Sequence, residues 1–164
     1  MYDKTETASP TVATDSLMVS IMVDAFECRD VATADIAGAY LKAEMKDSTI
    51  MKFSGPSVDI LCELKPEYVS YIVIENGVKA IYVRLIKAIY GCVHQSALRW
   101  YKVFYAYLKE IDFELNPYDP CVANKVIDSK QCTIAWYVGD TKISHANLDL
   151  VTQIIEQIEE RFGK

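Results

Sequence analysis

The sequence predicts an α+β fold, in which an antiparallel sheet carries helices on one face. The first observation is a pair of predicted hairpins, because an Asn-Gly pair at 76–77 and a turn at 128–130 each join two strand-like runs. The second is apolar side chains at helical spacing, such as Trp100, Phe104 and Leu108. Hairpins pair neighbouring strands directly, and amphipathic helices bury their apolar stripe against the resulting sheet.

The predicted elements follow one another without an internal repeat or a linker. Residues 1–13 are polar and are expected to be loose. Residues 14–27 have apolar side chains four positions apart, which predicts an amphipathic helix capped by Thr14 or Asp15. Short β-branched runs predict strands at residues 31–36, 49–53, 71–74, 78–85, 121–127, 132–138 and 142–144. Further helices are predicted at 57–64, at 95–111, and between Asn147 and Gly163.

The composition is that of a folded chain. Of the 164 residues, 51% are hydrophobic, which excludes a disordered acidic tail. No uncharged apolar run approaches the roughly 18 residues of a membrane span, and no signal-peptide pattern opens the chain. The five cysteines show no CxxC spacing and are expected to be reduced thiols of an intracellular protein.

The charge is unevenly distributed along the chain. Residues 79–109 contain six basic residues and no acid, whereas the rest of the chain has 11 basic and 23 acidic residues. Aromatic residues are interleaved in this acid-free stretch, a pattern that suits a polyanion with stackable bases. Alternatively, the aromatic residues form part of the core and the cations form a solvated face. Composition alone favours this second interpretation over a nucleic-acid surface.

Two acids stand out by position. Asp35 lies among apolar and small residues at the end of a predicted strand, and Asp140 lies in a tight turn after an apolar strand. Two such acids on adjacent strands could hold Mg²⁺ ions for phosphoryl transfer. Alternatively, Asp35 caps the following turn and Asp140 is an ordinary turn residue. Spacing alone favours this second interpretation.

Six short segments occur in an order and spacing that are typical of one family. They are Val31-Ala-Thr-Ala-Asp35-Ile-Ala-Gly-Ala-Tyr40-Leu41, Ile50-Met51-Lys52, Leu85-Ile-Lys87-Ala88-Ile89-Tyr90-Gly91, Trp100-Tyr101-Lys102, Asn116-Pro-Tyr-Asp119-Pro and Tyr137-Val138-Gly139-Asp140. Over residues 9–162 the chain resembles the reverse transcriptase of copia-type LTR retrotransposons. The resemblance implies a polymerase palm with part of the fingers, formed by residues 14–164 as a single domain.

The resemblance also implies roles for individual residues. Asp35, Asp140 and the backbone carbonyl of Ile36 are expected to bind Mg²⁺, two ions of which serve the family. Tyr40 matches the aromatic gate that excludes a ribose 2′-hydroxyl. The other residues expected to bind the incoming dNTP are Gly38, Ala39, Gly91 and Gln95. The residues expected to contact template and primer phosphates are Lys87, Arg99 and Lys102.

Three departures from the family pattern accompany the resemblance. Gly139 stands where the family has an aspartate that coordinates both metals. The interval from Gly91 to Trp100 is one residue longer than usual, so either His94 or Gln95 fills the position of the family's glutamine. The N-terminal fingers, the thumb, RNase H and integrase are expected to be missing from this chain.

These observations give two functional hypotheses. The first is the reverse transcriptase domain of a retrotransposon Pol polyprotein, an RNA-directed DNA polymerase that adds dNTPs to a primer on an RNA or DNA template. Gly139 and the truncation are expected to leave this copy inactive or severely impaired, since one lost electrostatic group typically costs on the order of 10²–10³ in rate. The second is a non-catalytic relic that binds nucleic acid or protein. For the family, cytoplasmic virus-like particles are the expected location and no membrane is involved.

Overall fold

The computed structural model describes residues 9–45, 48–91 and 96–163. In chain order the elements are α1 (Thr14–Phe26), β1 (Asp30–Asp35), β2 (Ile50–Ser54), α2 (Pro56–Leu64), β3 (Val73–Glu75), β4 (Val78–Arg84), α3 (Ser96–Glu110), β5 (Glu114–Leu115), β6 (Val122–Ile127), β7 (Lys130–Tyr137), β8 (Asp140–His145) and α4 (Leu148–Phe162), with short 3-10 helices at Ala39–Lys42 and Pro66–Tyr71. Every strand pairing is antiparallel in the part of the chain described, and the predicted α+β class is confirmed.

The chain forms two compact units. The large unit comprises Met1–Ala43 and Ala88–Lys164, and the small unit comprises Glu44–Lys87. The expectation that residues 14–164 form one palm and partial-fingers domain stays a prediction. Among the described helices, none has the length and apolar character needed to cross a membrane.

The sheet of the large unit has the strand order β1-β8-β7-β6-β5. The predicted hairpin between β6 and β7 is present, with its two-residue loop at Asp128 and Ser129, both of which have positive φ angles. The closing helix α4 begins where predicted, because the Asn147 side chain accepts a hydrogen bond from the Asp149 N–H.

The core of the large unit is rich in aromatic rings. Trp100 and Phe104 on α3, Trp136 on β7 and Phe162 on α4 are all at most 5% exposed. The Phe104 ring meets the Trp136 ring edge to face, with centroids 5.5 Å apart, and Phe162 meets Trp100 in the same way at 5.2 Å. Helices α3 and α4 therefore cover the face of the sheet on which Trp136 lies.

Helix α1 has the reverse of the predicted amphipathic pattern. Its buried residue is Asp24, whose carboxylate forms an ion pair with Lys142 of β8, while Met22 and Phe26 are exposed. Side chains alternate along a strand, so Lys142 lies on the face opposite Trp136, and α1 is held there. The predicted cap at Thr14 or Asp15 is wrong, because the helix begins at Thr14 and no side chain caps it.

The small unit is a three-stranded sheet, in the order β2-β4-β3, with α2 beside it. The predicted Asn76-Gly77 turn joins β3 to β4, and both residues have the positive φ angles that a tight two-residue hairpin loop requires. Val58 of α2 and Ile81 of β4 are fully buried and anchor the helix to the sheet.

Candidate active site

Asp35 and Asp140 lie directly opposite each other at one end of the large sheet. Asp35 is the last residue of β1 and Asp140 is the first of β8, and the two are register partners in the antiparallel pair. Residues in this relation have Cα atoms roughly 4.5–5.5 Å apart and project from the same face of the sheet. Both are exposed. The structure therefore brings together the two acids that the sequence singled out.

The turn beside these acids has a strained backbone. Tyr137 pairs with Asp140, so Val138 and Gly139 form the two-residue loop of the β7–β8 hairpin. Val138 has a φ of 56°, which a β-branched residue rarely adopts. Hydrogen bonds from outside the hairpin hold both loop carbonyls. The indole Nε1–H of Trp100 donates to the Val138 oxygen at 2.7 Å, and the Ile36 N–H donates to the Gly139 oxygen at 2.9 Å.

Gly139 is buried against the opposite strand end. A Cβ atom at this position would lie 2.9 Å from Asp35 Oδ1 and 2.9 Å from the Ile36 carbonyl oxygen. The second contact is with backbone, so it is not relieved by rotating a side chain. A side chain at position 139 would therefore start between the two oxygen atoms that the family resemblance assigns to metal binding.

The oxygen ligands at this corner of the sheet are few. The carboxylates of Asp35 and Asp140 and the Ile36 carbonyl are hard oxygen donors of the kind that Mg²⁺ prefers. The Ile36 oxygen already accepts a hydrogen bond from the Ala39 N–H at 3.1 Å. Among the described residues there is no cluster of three or more His, Cys, Asp or Glu side chains that could hold a metal ion.

Tyr40 follows the acid through a short bend of small residues. Gly38 has a φ of 63°, a conformation that glycine adopts without strain, and Ala39 is buried. The Tyr40 ring packs on the ring of Tyr90, with centroids 4.3 Å apart. Burial raises the pKa of the Tyr40 hydroxyl, and the neighbouring Tyr90 and Tyr137 hydroxyls raise it further. The phenol is therefore neutral at physiological pH.

The other residues assigned by resemblance are placed as follows. Gly91 is exposed with a φ of 77°, next to Tyr90. Gln95 and His94 lie outside the described residues, so the choice between them stays open. Lys87 belongs to the small unit, and its Nζ atom lies 3.9 Å from Glu44 Oε1. In the large unit, Lys102 is exposed on α3 and Arg99 is half-buried on the same helix.

Most aromatic residues of the acid-free stretch are packed rather than presented to solvent. Trp100, Phe104 and Tyr107 are buried in the core of the large unit. The half-buried rings of Tyr101 and Tyr105 stack on each other, with an interplanar angle of 16°. On α3, packing in the core therefore explains the aromatic residues better than base stacking does.

Two polar contacts at the site were not foreseen. The Trp100 bond to Val138 joins residues 38 positions apart, and nothing in a helical aromatic stripe indicates a carbonyl partner. The Asp119 carboxylate accepts hydrogen bonds from the N–H groups of Ala13 and Cys121, which ties the start of α1 to the loop before β6. For the second contact, the sequence offers as a signal an acid in a Pro-containing loop.

The family model described as "Reverse transcriptase (RNA-dependent DNA polymerase)" matches the chain over residues 1–164. Neither a curated protein nor a solved structure gives a significant match. The family match covers the corner where Asp35 faces Asp140 as well as both compact units. The chain therefore belongs to the reverse transcriptase (RNA-dependent DNA polymerase) family, whose function includes binding a nucleic-acid template.

Proposed function

We propose that the chain is the reverse transcriptase domain of a copia-type retrotransposon Pol polyprotein. Its ancestral reaction is the Mg²⁺-dependent addition of dNTPs to a primer on an RNA or DNA template. The observation that carries this proposal is the register pairing of Asp35 with Asp140 at the sheet corner, within a chain of this family. In that setting the domain acts beside RNase H and integrase, in cytoplasmic virus-like particles.

The residues at the corner suit the binding of one magnesium ion. Asp35, Asp140 and the Ile36 carbonyl would hold it, and bound Mg²⁺ supplies positive charge to the triphosphate. Tyr40 would exclude nucleotides with a 2′-hydroxyl, and its packing on Tyr90 keeps the ring in place. The remaining dNTP contacts would come from the bend and loop residues Gly38, Ala39, Gly91 and Gln95.

Gly139 makes this copy inactive or severely impaired. Its missing side chain would begin beside Asp35 Oδ1 and the Ile36 oxygen, where a third carboxylate would share the metal with the other two. With two carboxylates, a second Mg²⁺ and the triphosphate are poorly neutralised. A loss on the order of 10²–10³ in rate is the usual cost of one such electrostatic group, and a shared ligand costs more.

Primer extension tests this proposal. Residues 9–163 replace the matching segment of an active full-length polymerase of the family, and the chimera is compared with its Gly139→Asp variant. Asp35→Asn in the variant provides an inactive control. We expect the Gly139→Asp chimera to be at least 100-fold faster, in line with the cost of a lost catalytic group. Equal rates would contradict the impairment, and no synthesis by either chimera would count against the polymerase assignment.

A non-catalytic nucleic-acid-binding module is the second candidate. The observation that favours it is a turn whose two carbonyls are held from outside, so the fold does not require the third acid. Arg99 and Lys102 of α3, with Lys87 in the small unit, would then contact phosphates without catalysis. Binding of an RNA–DNA duplex at low salt, together with the absence of synthesis, distinguishes this candidate from an active polymerase.

A further inference from the structure

Trp100 donates a hydrogen bond to the β7–β8 turn through its indole N–H, which has little freedom to move. The side chain is 1% exposed, and its ring is stacked on Phe104 with centroids 5.5 Å apart. Phe162 meets the same ring edge to face at 5.2 Å. A buried indole N–H requires an acceptor, and the acceptor here is the Val138 carbonyl, at 2.7 Å. The surrounding rings therefore fix the direction in which the N–H points.

A hydrogen bond to the Val138 carbonyl restrains the orientation of a peptide group inside the turn. It belongs to the peptide group between Val138 and Gly139, and the Gly139 carbonyl belongs to the next peptide group. Ile36 holds the second carbonyl from the side of β1. With both successive peptide planes fixed, the chain has little freedom in the direction it takes into Asp140. A positive φ at a β-branched residue persists only where the surroundings determine it in this way.

We propose that Trp100 is a positioning residue for the Tyr137-Val138-Gly139-Asp140 turn, and that its indole N–H fixes where Asp140 projects toward Asp35. Trp100 donates its hydrogen bond to a main-chain oxygen of the turn, so it acts through the backbone. The importance of this role for catalysis rests on the proposed function. The mechanical role itself does not, because the hydrogen bond is present without substrate.

Amide hydrogen exchange, measured by NMR on the whole chain, tests the mechanical role. The reporter is the Ile36 amide, which donates to Gly139 and is exposed to exchange when the turn opens. A reference amide is that of Trp136, which donates to the Cys121 oxygen in the same sheet at 3.0 Å. Trp100→Phe removes the N–H and keeps an aromatic ring. A second variant places at position 100 the tryptophan analogue in which sulfur replaces the indole N–H, so ring volume is kept.

Tyr101→Phe is the matched control on the same helix. It also removes one hydrogen bond from α3 to a backbone carbonyl, that of Pro120 at 3.0 Å. Because Pro120 precedes Cys121, this control is expected to leave the Ile36 amide unchanged and to affect the Trp136 amide if it affects either. The Trp100 variants are expected to have the opposite pattern.

We expect exchange at Ile36 to be about two- to tenfold faster in both Trp100 variants, the range that one net hydrogen bond produces. Exchange at Trp136 should change by less than about twofold on the same scale. An unchanged Ile36 amide in the sulfur analogue would overturn the proposal. Equal acceleration at both amides would also overturn it, since it would indicate a general loss of packing.

Titration with Mn²⁺ alone extends the test to the acids. Paramagnetic broadening of the Asp140 amide gives the affinity, and we expect Mn²⁺ to bind the sulfur analogue at least about twofold more weakly than the native chain, by the same hydrogen-bond scale. Equal affinity would show that the turn does not position Asp140. Failure of the native chain to bind Mn²⁺, with the exchange effect still present, would count against the proposed polymerase site and not against the role of Trp100 in the turn.

Discussion

Substitution of Gly139 has a cost that the structure allows us to work out. A Cβ atom would lie 2.9 Å from the Ile36 oxygen, so the turn must move by a few tenths of an ångström in either Gly139→Ala or Gly139→Asp. Overpacking of this kind costs about 1–3 kcal/mol of unfolding free energy. Gly139 is not in the left-handed region, so loss of glycine returns about 0.4–1 kcal/mol through the unfolded chain. We expect Gly139→Ala to lose about 0.5–2 kcal/mol.

Gly139→Asp adds a carboxylate next to Asp35 and Asp140. Each like-charge pair at about 5 Å costs on the order of 1 kcal/mol in nearly aqueous surroundings, and both existing acids are exposed. We therefore expect this variant to be about 1–2 kcal/mol less stable than Gly139→Ala in low salt without divalent cations. The difference should shrink at about 1 M salt, which shortens the screening length to about 3 Å.

Urea unfolding followed by tryptophan fluorescence measures these differences. Both tryptophans, Trp100 and Trp136, lie in the large unit near the turn, so the signal reports on the relevant part of the chain. Adding Mg²⁺ should stabilise Gly139→Asp by more than it stabilises Gly139→Ala, because the new carboxylate would bind the ion together with Asp35 and Asp140. A Gly139→Ala variant as stable as the native chain would refute the clash at position 139, and equal stabilisation of both variants by Mg²⁺ would refute the role of the third carboxylate.

Three further predictions concern other parts of the large unit. Asp24→Asn removes the carboxylate that pairs with Lys142 and lies 3.9 Å from Arg29, and it should lower the unfolding free energy by about 3–5 kcal/mol in urea; a double variant with Lys142→Met should recover the part of the loss that is due to Lys142. Burial raises the pKa of the Cys132 thiol to about 11. The neutral buried thiol therefore stabilises the fold below pH 9, and this part of the unfolding free energy should be lost as the pH rises toward 11. The unfolding free energy of Cys132→Ala should fall less steeply over the same pH range. If Lys102 and Arg99 contact phosphates, Lys102→Ala and Arg99→Ala should each reduce the salt slope of RNA–DNA duplex binding by about 0.9, and an unchanged slope would exclude those contacts.

The sequence was most informative where local chemistry determines the backbone. The Asn76-Gly77 turn, the hairpin at 128–129 and the Asn147 cap were all predicted, because each depends on a few adjacent residues. Strand β5, which is only two residues long, was not predicted, since it has no periodicity of its own and exists through pairing with β6.

Long-range contacts account for what the sequence did not show. Helix α1 was expected to bury its apolar stripe, yet Asp24 faces inward because Lys142 of β8 is there to neutralise it. Only the fold brings these two residues together. The pairing of Asp35 with Asp140 was likewise invisible to spacing, which favoured two unrelated turn residues, and the family resemblance was needed to connect them. The indole bond from Trp100 to Val138 belongs to the same class of contact.

The two hydrogen bonds to the loop carbonyls of the turn affect which substitutions the chain tolerates during evolution. Trp100 and Ile36 donate to main-chain atoms, so the turn keeps these two hydrogen bonds without any side chain at position 139. Folding of the hairpin therefore does not depend on an acid at position 139. If the chain is the polymerase domain proposed above, a catalytic aspartate at this position can be lost while the domain still folds. Under that proposal, such a protein would compete with intact polymerases for template to the extent that it retains their affinity.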